Sequence, residues 1–93
     1  MALALDGVAE GAHMGHPDFR VRGRIFATLG WPARGSAMVK VSPLRQEDLV
    51  REHPRTFAPA SGAWGRAGST IITLRGATPA VVREALEAAW RGR

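Results

Sequence analysis

Six cationic side chains carry the chemistry most legible in this 93-residue chain: Arg20, Arg22, Arg24, Arg34, Lys40 and Arg66. Three of them fall in the run Phe19-Arg20-Val21-Arg22-Gly23-Arg24, where arginine alternates with apolar residues and a glycine. That pattern suits contact with an anion, not catalysis. Twelve of the thirteen basic residues are arginine. A planar guanidinium grips phosphate with a fork of donors, where lysine offers a point charge. The net charge of +5 is also uneven: residues 1–18 hold Asp6, Glu10 and Asp18 with no Lys or Arg, and residues 19–43 hold five bases with no acid. A domain with such a segment can bind nucleic acid by displacing counterions from the phosphate backbone. The competing accounts are a solvated basic face that keeps an edge strand from aggregating, or a coding bias toward Ala, Gly and Arg.

Other chemistries find little support. There is no cysteine, so disulfides, thiolate nucleophiles and Cys-based zinc sites are excluded. His13 and His16 stand at i, i+3, which meet on a helix but face opposite ways on a strand, and no cysteine stands beside them, so no metal site is expected. His16 before Pro17 suits a turn hydrogen bond, and His53 suits a helix C-terminus. The stretch Gly62–Thr70 is rich in glycine but lacks the Gly-Lys-Ser/Thr of a phosphate loop and precedes a strand, not a helix. No serine lies in Gly-x-Ser-x-Gly, and no carboxylate pair suggests an acid and a base. We therefore expect no catalytic residues, no metal, no cofactor and no enzyme activity. Of the tryptophans, Trp31 at a turn is the candidate for stacking on a base, Trp64 reads as a packing anchor for its loop, and Trp90 as core or as the edge of a last helix.

Local patterning supplies the elements that must position these residues. A hydrophobic content of 45% argues for a folded chain, and its length for one domain over 1–93. No stretch reaches the roughly 18 apolar residues of a membrane span, and the short apolar start lacks the basic flank of a signal peptide, which predicts a soluble cytoplasmic protein. Residues 2–5 read as the tail of a helix closed by Asp6-Gly7, His13–His16 as a short strand, and Phe19–Val21 with Arg24–Leu29 as a hairpin. A three-residue loop Arg22-Gly23-Arg24 would set Val21 opposite Ile25 and Phe19 opposite Ala27. A two-residue loop would instead put Arg24 on the face of Phe19. Ala37–Val41 and Thr70–Leu74 read as strands, with a loop from Thr56 to Gly68. Ser42-Pro43 and Thr78-Pro79 each pair a capping hydroxyl with a proline at the first helical position. Gln46, Leu49, Val50 and His53 share one face of the first of these helices, which Pro54 ends; Val82, Ala85, Leu86 and Ala89 form the stripe of the second. The order is α-β-β-β-α-β-α, an α+β domain with helices on one face of an antiparallel sheet.

Several runs are specific enough in order and spacing to carry a resemblance: Gly15-His16-Pro17-Asp18-Phe19-Arg20-Val21, Gly23-Arg24-Ile25-Phe26-Ala27, Met38-Val39-Lys40-Val41, Phe57-Ala58-Pro59 and Gly62-Ala63-Trp64-Gly65-Arg66-Ala67-Gly68. With Leu3-Ala4-Leu5 and the closing helix Ala85–Arg91, they make the chain resemble the MmcQ/YjbR-like family over nearly its whole length. The resemblance implies a compact α+β fold and a small cytoplasmic DNA-binding protein with a double wing of β-hairpins. It also implies a first helix extended upstream by about another turn or two. Asp6 stands where the pattern usually has proline, and Arg24 where lysine is usual. The second change keeps the charge and removes a deprotonatable amine, which favours electrostatics over chemistry. The expectation is low-specificity contact with duplex DNA phosphates. The alternatives are a protein-interaction or dimerisation module, a homodimer included, and a small-molecule binder using the Trp64 loop and an open sheet face.

Overall fold

A computed structural model describes residues 5–13, 15–31 and 33–92. Six strands form one antiparallel sheet in the order β1-β2-β3-β4-β6-β5: β1 (Val8–His13), β2 (His16–Val21), β3 (Arg24–Leu29), β4 (Ser36–Lys40), β5 (Phe57–Pro59) and β6 (Ser69–Thr73). Three helices complete it, α1 (Pro43–Glu52), α2 (Gly62–Arg66) and α3 (Pro79–Arg91). Both proline-led helices begin as their sequences dictate. The Ser42 hydroxyl accepts the Arg45 backbone N–H at 3.1 Å, and the Thr78 hydroxyl accepts that of Val81 at 3.3 Å. The expected helix over residues 2–5 falls mostly outside the described residues, though Gly7 does take the left-handed φ of +72° expected of a turn glycine.

The long helices α1 and α3 bury their apolar stripes on the same side of the sheet. Leu49 of α1 and Ala85 and Ala89 of α3 join Val21, Phe26, Ala27, Val39, Phe57 and Ile72 in one core. Strand alternation assigns the opposite side to Asp18, Arg20, Thr28, Met38 and Lys40, and no long helix covers it.

Three sequence expectations need correction. The chain turns at Gly15 (φ +78°), so His13 and His16 are not one strand but register partners across a β1–β2 hairpin. The β2–β3 loop is the two-residue Arg22-Gly23, both with positive φ, +54° and +76°. It pairs Val21 with Arg24 and Arg20 with Ile25, yet Phe19 still meets Ala27, because a β-bulge makes Phe26 an extra residue on β3. Phe26 and Ala27 are consequently both buried, and Ile25 joins the side of Arg20 instead of the core. Finally, the segment expected as a loop from Thr56 to Gly68 contains β5 and α2. A three-residue edge strand ending in proline and a one-turn helix with two glycines carry almost no periodic signal.

That segment is nevertheless tightly held. Gln46 of α1 is buried, and its Nε2 lies 3.0 Å from the Gly65 and Ser69 carbonyls and 3.1 Å from Thr70 Oγ1. The Thr70 hydroxyl donates onward to the Gly68 carbonyl at 2.9 Å. The backbone packs closely here: a Cβ on Gly65 would sit 1.7 Å from the Ala60 oxygen.

Candidate functional site

The sheet separates the six cations that the sequence groups together. Arg20 is already engaged: its Nε donates to Asp18 Oδ1 at 2.8 Å and its Nη2 to Oδ2 at 3.1 Å. Asp18 is completely buried, while the Arg20 side chain is 41% exposed. Gly11, opposite Asp18 on β1, provides the space, since a Cβ there would lie 2.9 Å from Oδ1 and 3.1 Å from the Arg20 Nε. The hydrogen bond to Asp18, then the charge of that carboxylate, push the Arg20 guanidinium above its ordinary value. On the arginine side the pair is therefore complete at neutral pH and is lost only on strongly alkaline titration. Arg20 is better understood as part of the fold than as a phosphate ligand. Removing the arginine takes two charge-assisted hydrogen bonds from a buried carboxylate. Arg20→Ala is thus expected to lower the thermal midpoint by circular dichroism, and Arg20→Lys, which can keep only one of the two bonds, to lower it less.

Arg34 is separated in a different way. It lies in the β3–β4 turn, at the opposite end of β3 from Arg22 and Arg24. A six-residue strand sets these ends about 20 Å apart. Arg34 there neighbours the end of β6, whose following residue Leu74 donates its backbone N–H to the Gly35 carbonyl, with Arg75 next along the chain. The two consecutive hairpin turns therefore point in opposite directions.

Arg22, Arg24, Lys40 and Arg66 share the tip end of the sheet, with Arg24 on the helix side beside its register partner Val21 and Lys40 on the other side. Arg22 and Arg24 flank the β2–β3 turn, Lys40 closes β4, and Arg66 ends α2 just before Ser69, the register partner of Lys40. All four are exposed, and none forms a salt bridge among the described residues. Sequence reasoning passed over Arg45, which joins this end from the first turn of α1, two residues beyond Pro43. Asp6 is an acid at the same end: its carbonyl accepts the Trp90 Nε1–H at 2.8 Å, which ties α3 to the start of β1. Trp90 itself is half-buried, as a helix-edge residue should be.

The tryptophans reverse their expected roles. Trp64, read from sequence as an anchor, is 66% exposed, and Trp31, read as the exposed one, is half-buried beside it. Their rings are 6.2 Å apart between centroids and tilted by 59°. With Ile25, Met38 and Lys40 they border a cleft of about 470 Å³ on the sheet side that lacks a long helix. A second cleft of about 290 Å³ continues from Lys40 and Trp64 past Ser42 and Ser69. No group of three or more metal-ligating side chains is found among the described residues.

A family model described as YjbR matches residues 3–92. The chain belongs to the YjbR family. A crystal structure of Deinococcus radiodurans protein DR2400, a DUF419 domain, superposes on it with a TM-score of 0.76 at 24% identity, covering 96% of this chain and 70% of that one. At that identity the likeness shows a shared fold. A search of curated proteins found no match. The YjbR match spans every element that positions the cationic end and the tryptophan cleft. No described helix is long and apolar enough to cross a membrane.

Proposed function

We propose that this YjbR-family domain is a non-catalytic, cytoplasmic nucleic-acid-binding module that docks on the phosphates of duplex DNA through the tip end of its sheet. The observation that carries this reading is the gathering there of Arg22, Arg24, Lys40 and Arg66, exposed and free of salt bridges among the described residues. Arg22 adds weight because of its backbone. It is the one described non-glycine residue with positive φ, +54°, at a turn position where asparagine would sit more cheaply. Holding an arginine there costs on the order of 1 kcal/mol, and strain kept at an exposed tip suggests that the side chain is needed. Few side chains at this end suit base edges, so the contacts should be nearly indifferent to sequence.

Fluorescence anisotropy with a labelled duplex at several salt concentrations tests this. Four phosphate contacts predict a slope of log K against log salt near −3 to −4, from about −0.9 per contact. Arg22→Asn should raise stability by about 0.5–1 kcal/mol while making the slope shallower by about one. Arg34→Ala, at the far end, should leave it unchanged. No binding at low salt, or full affinity in Arg22→Asn combined with Arg24→Ala, would defeat the reading.

A second reading, self-association, draws on the contrast between the two sheet edges. β5 is three residues long and ends at Pro59, whereas β1 runs for six residues with no proline, lysine or arginine to discourage a further strand. Light scattering distinguishes the two, since a dimer paired along β1 should persist at high salt.

A further inference from the structure

We infer that the cleft between Trp31 and Trp64 holds one unpaired base of a single-stranded nucleic acid, with Lys40 against the adjoining phosphate. The inference rests on the phosphate-binding reading above and names the form of strand that this part of the surface selects.

Trp64 presents a large apolar ring to solvent, 66% exposed, from a well-fixed support. Its helix α2 is pinned by the Gln46 hydrogen bond to the Gly65 carbonyl and by the close approach of Gly65 to Ala60. Trp31 packs beside the ring at 6.2 Å. The indole is therefore held in place before any ligand arrives, which lowers the ordering cost of binding. Beneath it, Ile25 and Met38 give the 470 Å³ cleft an apolar floor. An aromatic wall over an apolar floor suits a flat ring, and stacking on tryptophan is open to every base because each has a π face.

Charge selects among flat ligands. Lys40 is exposed, makes no salt bridge among the described residues and stands where the two clefts meet. The smaller cleft continues from it past Ser42. A nucleotide chain joins each base through its sugar to phosphate, so a cation beside an apolar ring site suits the phosphate that flanks a stacked base. The two clefts share Lys40, Trp64 and Ser69 in their linings, so a strand can pass from one into the other instead of ending at the ring site. A paired base cannot use the site, because its faces are covered by its neighbours in the stack.

The test compares an oligothymidine of about twelve nucleotides, the same length of duplex, and thymidine monophosphate. We expect the single strand to quench tryptophan emission and to bind more tightly than the duplex. Trp64→Ala should weaken single-strand binding about tenfold to a hundredfold, the effect of one lost stack, with duplex binding within about twofold of wild type. Because Trp64 is exposed, its thermal midpoint should hold and report any folding defect. Lys40→Ala should make the single-strand salt slope shallower by about 0.7. The inference is overturned by unchanged single-strand affinity in Trp64→Ala, or by monophosphate binding as tightly as the oligomer. If the duplex still binds in those cases, the phosphate-docking reading survives alone; if neither strand form binds at low salt, both fall.

Discussion

Gly68→Ala is expected to leave little folded protein. Gly68 has a φ of +112°, and a Cβ there would lie 1.8 Å from the Val41 carbonyl oxygen. That oxygen is backbone, and Val41 is bound in turn through its own N–H to the Gly68 carbonyl at 3.2 Å, so it cannot retreat without losing the contact. The cost should reach about 4–5 kcal/mol, a large part of the whole stability of a domain this small. Gly76 is the control. It too has a positive φ, +81°, but a Cβ there meets nothing within 4 Å. Gly76→Ala should therefore cost only about 1–2 kcal/mol, from backbone conformation alone. Urea unfolding of the pair separates close approach from conformational cost; equal midpoints would show that the Val41 contact yields.

Gln46→Leu is expected to be the next most damaging change. Leucine keeps the volume and the helix propensity but donates nothing. The Gly65 and Ser69 carbonyls and the Thr70 hydroxyl, all served by one amide nitrogen, would lose it together in a buried site. Each keeps another partner: the Ala60 N–H on the Ser69 carbonyl, the Gly68 N–H on the Gly65 carbonyl, and the Gly68 carbonyl accepting from the Thr70 hydroxyl. The loss is therefore that of the hydrogen bonds alone, about 0.5–1.5 kcal/mol each and about 1–3 kcal/mol together. The thermal midpoint should then fall by roughly 5–20 °C. A drop of only a degree or two would mean that water or rearranged partners replace the amide. Because the same amide fixes α2, Gln46→Leu should also broaden the emission of Trp64 before global unfolding begins.

The same two residues show how far sequence reasoning reached. Helical spacing places Gln46 on the inner face with Leu49, and that is where it lies. Spacing does not say that a polar side chain on that face binds backbone nineteen and twenty-three residues further on. Ser42-Pro43 and Thr78-Pro79 were legible because a helix start is a local event, complete within one turn. The β2–β3 loop was not, since the bulge restores Phe19 opposite Ala27 after a two-residue turn, and only the partner strand reveals the extra residue. Among the candidate site residues, the pairing of Arg20 with Asp18 was hidden for a similar reason. Asp18 two residues earlier shares its side of a strand, but the glycine that makes room for the pair is on β1. The tryptophans were misjudged because exposure is decided by what packs above a ring, and α2, which carries Trp64, had no periodic signal to place it.

The bulge also bears on how such a hairpin can change over generations. Losing the single codon for Phe26 would leave the remaining β2–β3 partners, Val21 with Arg24, Arg20 with Ile25 and Phe19 with Ala27, in an uninterrupted ladder. No cation would change sides. What would go is one core side chain and the extra twist that a bulge imparts, so the tip would swing relative to the sheet. Insertions and deletions at this position therefore steer the hairpin, while point substitutions at Arg22 and Arg24 set its charge. The angle of approach and the strength of attraction can thus drift independently.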